Sequence, residues 1–501
     1  MEYQEVHQNQ RMVRPIDLLT ITLAYVASQV FFRAAGWRFD HSLIYFTMHL
    51  LDPELLRTRL LESVWYMHMQ PPIFNLFTGW GLKLFPQAYP TFFSGVFLML
   101  GLGMSWAMYW LARSLGVGRK LALGAIVLYV IGPADMFFRN WYFYSYPVMA
   151  MLVFSAGLLY KYLSTGQRNW GWAFFGMLTM IMLTRYSYHF VWFLALTAGL
   201  FLLLQNQRRQ IVRMALVPAL ICIFWMAKNY YLFGTFSMSS WLGWSLSKVT
   251  SSFLTPDELD SLEAEGKVSS LARIWPGNRF EFYEDFLRKT GQLYHPAPAL
   301  QQRVRSTAEM MNFNVRNFNN IDYLVISRQY TLDSLAVIRH RPAAYFRGLR
   351  RSATLFFLPV RLIYDEEPDD TITAYHRFWT LLGGSWGQPA GVDMSVLRDL
   401  SVTGPQVCLL VVLFFILAPA VFVSDLLRKK GLARLGTARL VTVGFMLFNL
   451  LYVSATGILL DFGENNRFRS EIVPLSVVLA AVMLQRFADG RNRGSLTGRR
   501  N

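Results

Sequence analysis

Apolar residues fall along this chain in long runs separated by short basic segments. The runs 91–112, 402–424 and 440–460 contain no Asp, Glu, Lys or Arg. A helix that crosses a bilayer core needs roughly 17–25 apolar residues, and these runs meet that length. With the weaker runs they predict about ten spanning helices, centred near Ala27, Gly101, Tyr129, Leu152, Leu178, Ala195, Ile223, Phe414, Phe448 and Val478. The runs 121–134 and 170–183 hold only roughly 15 apolar residues each, short of the usual ~20. Either those helices stop early at a water-filled pocket, or the bilayer thins around them.

Two stretches break the pattern, 37–90 and 234–402. In the first, Pro71 and Pro72 mark a turn into an amphipathic helix over 73–85. In the second, 255–293 reads as short helices and turns, and 312–320 (NFNVRNFNN) as polar and turn-prone. Residues 343–358 put Arg347, Arg350 and Arg351 on one side and Phe356, Phe357 and Leu358 on the other, which predicts a helix lying in the interface. The predicted fold class is an all-α polytopic membrane protein in three parts. These are an N-terminal transmembrane module over 1–233, a large outward segment over 234–402, and C-terminal transmembrane helices with a basic tail over 403–501.

Charge gives this layout a direction. Charged residues make up 16% of the chain, against ~25% in a soluble domain. A net charge of +17 would suit a nucleic-acid partner, but its distribution argues against one. Residues 234–402 carry 18 basic and 18 acidic side chains, so the whole excess lies outside that segment, in short stretches between apolar runs. Arg113, Arg119 and Lys120 mark one such turn; Lys161 and Arg168, Arg208 to Arg213, and Arg428 to Arg439 mark others. Every second loop is basic, the pattern of cytoplasmic loops. Both termini are therefore expected in the cytoplasm, with 37–90 and 234–402 on the opposite face. Residues 1–14 lack a signal-peptide pattern, and the first apolar run is expected to remain as an anchor. Cys222 and Cys408 sit inside apolar runs and predict neither a disulfide nor a cysteine metal site.

The outward loops carry the candidate chemistry. Asp40 directly follows the first helix, where a carboxylate at the membrane surface suits a general base; the plain alternative is a hydrated loop acid. Glu62 and His68 follow, then Gln70 before the two prolines. The last outward turn holds Glu464, Arg467 and Arg469, whose guanidinium groups match phosphate oxygens, or else snorkel to lipid head groups. Arg139, Arg185 and Lys228 also lie at outward helix ends, where the positive-inside tendency disfavours them. Lys228 and Asn229 open a stretch of amide, hydroxyl and aromatic groups suited to a sugar, or simply a helix end stopped by Gly234. No spacing among Asp40, Asp52, Glu62 and His68 is a metal motif, so no metal or other cofactor is expected to be required.

These segments together resemble the polytopic GT-C glycosyltransferases, especially the bacterial relatives of protein O-mannosyltransferases. The matching places are Asp40 after the first helix, the Gln70-Pro71-Pro72 turn, the Lys-Asn-Tyr…Phe-Gly-Thr-Phe…Ser-Ser segment from Lys228 to Ser240, and Asn-Arg-Phe-Arg from Asn466 to Arg469. The family often has Asp-Glu after the first helix, whereas here His41 follows Asp40, leaving Asp52 or Glu62 for a second acid. The resemblance implies a GT-C-like bundle in a bacterial inner membrane. It implies a polyprenyl-phosphate sugar as donor and a glycan, lipid or protein as acceptor. It makes Asp40 the base, has His68 and Gln70 shape the site, and gives the phosphate to Arg467 and Arg469 with Arg139 or Lys228. The competing class is a secondary transporter or lipid-linked-sugar flippase. Such proteins favour paired repeats and ionisable residues near the midplane, while here the polar residues gather at one face.

Overall fold

The computed structural model of the protein describes residues 13–47, 49–278, 280–290, 309–310, 315–316, 319–358, 370–382, 408–427, 436–463 and 465–497. Ten helices correspond to the ten apolar runs: α1 (Pro15–Ala34), α2 (Tyr89–Ser114), α3 (Arg119–Ile131), α4 (Ser145–Thr165), α5 (Arg168–Met182), α6 (Phe190–Leu203), α7 (Arg208–Phe233), α8 (Leu409–Leu427), α9 (Thr437–Leu459) and α10 (Asn465–Thr497). Six of them, α1, α2, α4, α7, α9 and α10, are long and apolar enough to cross a membrane, while α6 and α8 are apolar but shorter. The chain is a nearly all-helical integral membrane protein. Its described β structure is one antiparallel pair, Glu309–Met310 with Val315–Arg316.

Helices α3, α6 and α5 are short, at 13, 14 and 15 residues. They span about 20 Å, against a hydrocarbon core of roughly 30 Å. Helix α3 stops at Gly132 because Pro133 follows and opens a separate short helix, Pro133–Arg139. Helix α5 stops at Leu183, whose carbonyl accepts from the Ile73 amide at 2.8 Å. Both therefore end early, and the buried loops that follow them belong to the site described below.

The loops separate into two sets. At one end, Asp40 bridges Trp141, Ile73 reaches Leu183, the Ser240 amide donates to the His68 carbonyl at 2.9 Å, and Ser352 donates to the Asp461 carbonyl at 2.9 Å. At the other end, Arg119 pairs with Asp17 at 2.6 Å, the Gly118 amide donates to Gln485 at 2.9 Å, and Arg439 donates to the Ser114 carbonyl at 3.2 Å. Among the described residues, contacts between loops expected to face outward lie at the first end, and the basic turns around 113–120 and 439 meet at the second. The N- and C-terminal helices form one bundle: the Trp192 indole of α6 donates to Asn449 of α9 at 3.0 Å.

Apart from that strand pair, the described elements of 37–90 and 234–402 are helices and turns. Ile73–Leu84 and Pro342–Phe357 form the two amphipathic helices. The second does not present a whole basic face: Arg347 pairs with Glu258, while Arg351 is buried. Residues 255–290 give the helices Pro256–Ala264 and Glu281–Thr290 with turns between them. Most of 312–320 lies outside the described residues, although Asn320 caps the helix Ile321–His340. One short helix, Leu242–Val249, is held by two glycines. A Cβ at Gly243 would collide with the Ser327 carbonyl, and one at Gly348 with the Val249 carbonyl, so backbone meets backbone on both sides.

Candidate active site

Asp40 is fixed by its own backbone. Its amide donates to the Asn140 carbonyl at 2.7 Å and its carbonyl accepts from the Tyr142 amide at 2.9 Å. The carboxylate stays half-exposed and accepts from the Ser42 amide at 2.8 Å, closing a small Asx turn. The first helix thus ends with its acid pinned to the segment that follows the short helix Pro133–Arg139.

That segment leads to a cluster of cations. Residues 141–144 are buried, and Trp141 stacks on Phe143 with centroids 4.7 Å apart. The guanidinium of Arg467 lies over Phe143 at 4.5 Å and donates to the Tyr144 hydroxyl at 3.2 Å. Arg185 lies over Phe468 at 4.4 Å and Tyr144 at 5.2 Å. It pairs with Glu471, which also accepts from Tyr188 at 3.1 Å. Lys248, from the Leu242–Val249 helix, pairs with Asp461 at 3.5 Å. Three separate elements therefore send one cation each toward the same place.

His49 reports how close they are. Its ring packs between Phe143, Tyr144 and Trp241, with centroids 5.3 to 5.5 Å away, and its Nδ1 is buried without a hydrogen-bond partner among the described residues. Burial holds the imidazole well below its usual range, and the charges of Arg467, Arg185 and Lys248 push it the same way. A neutral histidine, three cations and an aromatic wall suit an anion better than a cation.

Several residues singled out in the sequence are engaged by neighbouring groups of the fold. His68 has both ring nitrogens engaged, Nε2 donating to the Asn319 carbonyl and Nδ1 accepting from the Ser240 hydroxyl, each at 2.9 Å. A carbonyl only accepts, which sets the neutral tautomer. Burial lowers its pKa to about 3, so it is not placed to shuttle protons at neutral pH. Lys228 donates to the carbonyls of Trp65 and Met67 at 3.0 and 2.8 Å. Asn229 donates to the Ser237 carbonyl at 2.7 Å. Arg469 holds the carbonyls of Phe356 and Leu358 at 2.8 and 2.7 Å, capping the helix Pro342–Phe357. Arg139 is enclosed within the bundle against Asp135 at 3.0 Å and the Tyr25 ring at 4.1 Å. Asp52 caps the helix Pro53–Thr58, and Glu62 is half-buried in the first turn of Leu60–Trp65. Asp52 and His68 are thus committed elsewhere and do not join Asp40 in one ligand set.

Gln70 is buried, and neither atom of its amide has a hydrogen-bond partner among the described residues. It stands between the His68–Ser240 contact and the Ile73–Leu183 contact, beside the loop that carries Arg185. Glu464 lies outside the described residues. The sequence offers His49 and Asp461 only as loop ionisable groups without a role, and does not single out Tyr186, Ser245 or Lys248. Tyr186 follows an already suspicious arginine, and Asp461 opens the last turn; Lys248 looks like any lysine on a short amphipathic helix.

No known protein-family model matches the chain, and no curated protein matches it either. A solved structure of ArnT from Cupriavidus metallidurans, bound to undecaprenyl phosphate, aligns over 94% of this chain and 78% of its own, at 13% identity and a TM-score of 0.32. A likeness that slight carries no argument about chemistry, which rests on the residues themselves.

Proposed function

We propose that this protein is a membrane glycosyltransferase that takes a hexose or pentose from a polyprenyl-phosphate carrier and transfers it to an acceptor at the outward face. The observation that carries this reading is the convergence of Arg467, Arg185 and Lys248 on one aromatic-walled site, joined to Asp40 through residues 140–144. From Trp141 to Tyr144 the chain reaches at most about 10 Å, the scale of a sugar phosphate. The GT-C resemblance supplies the donor class, and the bacterial inner membrane as the setting.

The reaction is a displacement at the anomeric carbon. The acceptor hydroxyl gives its proton to the Asp40 carboxylate as its oxygen attacks. The bond from the anomeric carbon to the phosphate oxygen breaks, and its electron pair leaves with the lipid phosphate. Arg467, Lys248 and Arg185, the last two held by Asp461 and Glu471, stabilise that charge with oriented donors. The sequence-based assignment of the phosphate to Arg469, Arg139 and Lys228 gives way to this set. The scheme needs no metal. The test is transfer by purified protein in chelator. Asp40→Asn should abolish transfer while still binding polyprenyl phosphate, and full activity in that variant overturns the role of Asp40.

A further inference from the structure

Asp461 stands in a geometry that the transfer chemistry does not use. Its Oδ1 accepts from the Phe462 amide at 2.8 Å and lies 3.5 Å from Lys248 Nζ. Its Oδ2 lies 3.4 Å from the Tyr186 hydroxyl and 3.4 Å from the Ser245 hydroxyl, and those two oxygens are 3.5 Å apart. Hydroxyl-to-carboxylate bonds normally close to about 2.5–2.7 Å. A buried carboxylate with one short bond and three long ones has acceptor capacity left over, although burial makes that costly.

The three oxygens form a near-equilateral triangle. An atom above its centre can sit about 2.7 Å from all three corners, an ordinary O–H···O distance. The chemical pattern at the corners is one obligate acceptor and two hydroxyl donors. An alcohol has one proton to give and two lone pairs to receive, so it satisfies all three at once. The triangle also adjoins the cation cluster. Tyr186 is the next residue after Arg185, and Lys248 touches Asp461 while acting on His49 together with Arg467 and Arg185. Asp461 and Ser245 are buried, while 22% of the Lys248 side chain beside them is exposed.

We infer that Asp461, Tyr186 and Ser245 form a subsite for one hydroxyl of the donor sugar, and that Asp461 is a specificity residue rather than a partner of Lys248 alone. This rests on the reading of the neighbouring cations as the lipid-phosphate site. The test compares binding of polyprenyl phosphate with binding of a polyprenyl-phosphate hexose to the full-length purified protein. Wild type should bind the glycosylated lipid more tightly. Tyr186→Phe should bind polyprenyl phosphate within about threefold of wild type and lose roughly tenfold for the glycosylated lipid, while Asp461→Asn, which also frees Lys248, should lose roughly tenfold in its preference for the glycosylated over the free lipid. If Asp461→Asn does not fold, Tyr186→Phe decides alone. Equal losses for both lipids, or no loss for either, overturn the subsite while leaving the phosphate site standing. Failure of wild type to bind either lipid overturns the phosphate site, and the subsite with it.

Discussion

At the scale of single residues, burial decides roles that residue type leaves open. His68 is neutral in the fold, with a pKa near 3 against a usual 6.5. Below pH 6.5 the unfolded chain takes up a proton that the folded chain refuses. Its contribution is therefore fully present above that pH, and is lost at about 1.4 kcal/mol per unit as pH falls toward 3. His68→Gln should lower stability at pH 7 by about 1–3 kcal/mol. Its detergent-solution melting temperature should then fall less steeply than that of wild type between pH 6.5 and 5. Parallel slopes would show that His68 is not buried and neutral. Arg467 and Arg469 separate in the same way. Arg469→Gln should cost about 1–3 kcal/mol through two stranded carbonyls and keep polyprenyl-phosphate binding in the folded fraction. Arg467→Gln should lose that binding, and the reverse result contradicts the assignment. The sequence made these cations visible as anomalies on the outward face. Their partners were not legible, because Arg469 reaches back 113 residues to Phe356 and Lys228 reaches back 161 to Met67.

At the scale of elements, apolar run length and proline placement were enough to find the ten apolar helices, though not Ile321–His340. All ten apolar runs became helices, the Pro71-Pro72 turn opens Ile73–Leu84, and Gly132-Pro133 ends α3. The lengths of α3 and α5 were legible too, but not what meets their ends, since that requires contacts between loops far apart in sequence. The Leu242–Val249 helix is the least legible element and the most consequential, because it carries Ser245 and Lys248. Its position depends on glycine at 243 and 348. Gly348→Ala should destabilise the protein by about 1–3 kcal/mol through overpacking, and slow transfer by shifting that helix. Gly176→Ala, in α5 with open space around it, should be neutral or stabilising by up to about 1 kcal/mol. Thermal unfolding and turnover of the two variants side by side check the claim. Equal behaviour would mean that the close approach is not real.

At the scale of the whole molecule, charge gives the bundle its expected sides. Basic turns mark cytoplasmic loops; those around 113–120 and 439 meet at one end of the bundle, and the site lies at the other. Cys222 and Cys408 are buried, so introduced cysteines can report topology. Asp257→Cys should react with an impermeant maleimide on intact cells, and Asn169→Cys only after permeabilisation; both positions are exposed. The opposite labelling would invert the site. The central claim is that a lipid-borne sugar is transferred here rather than moved. It is tested most directly by adding acceptor to purified protein loaded with a polyprenyl-phosphate sugar, and measuring free polyprenyl phosphate. The account predicts release that follows acceptor and disappears in Asp40→Asn. An intact sugar lipid, carried unchanged across sealed vesicles, would contradict it.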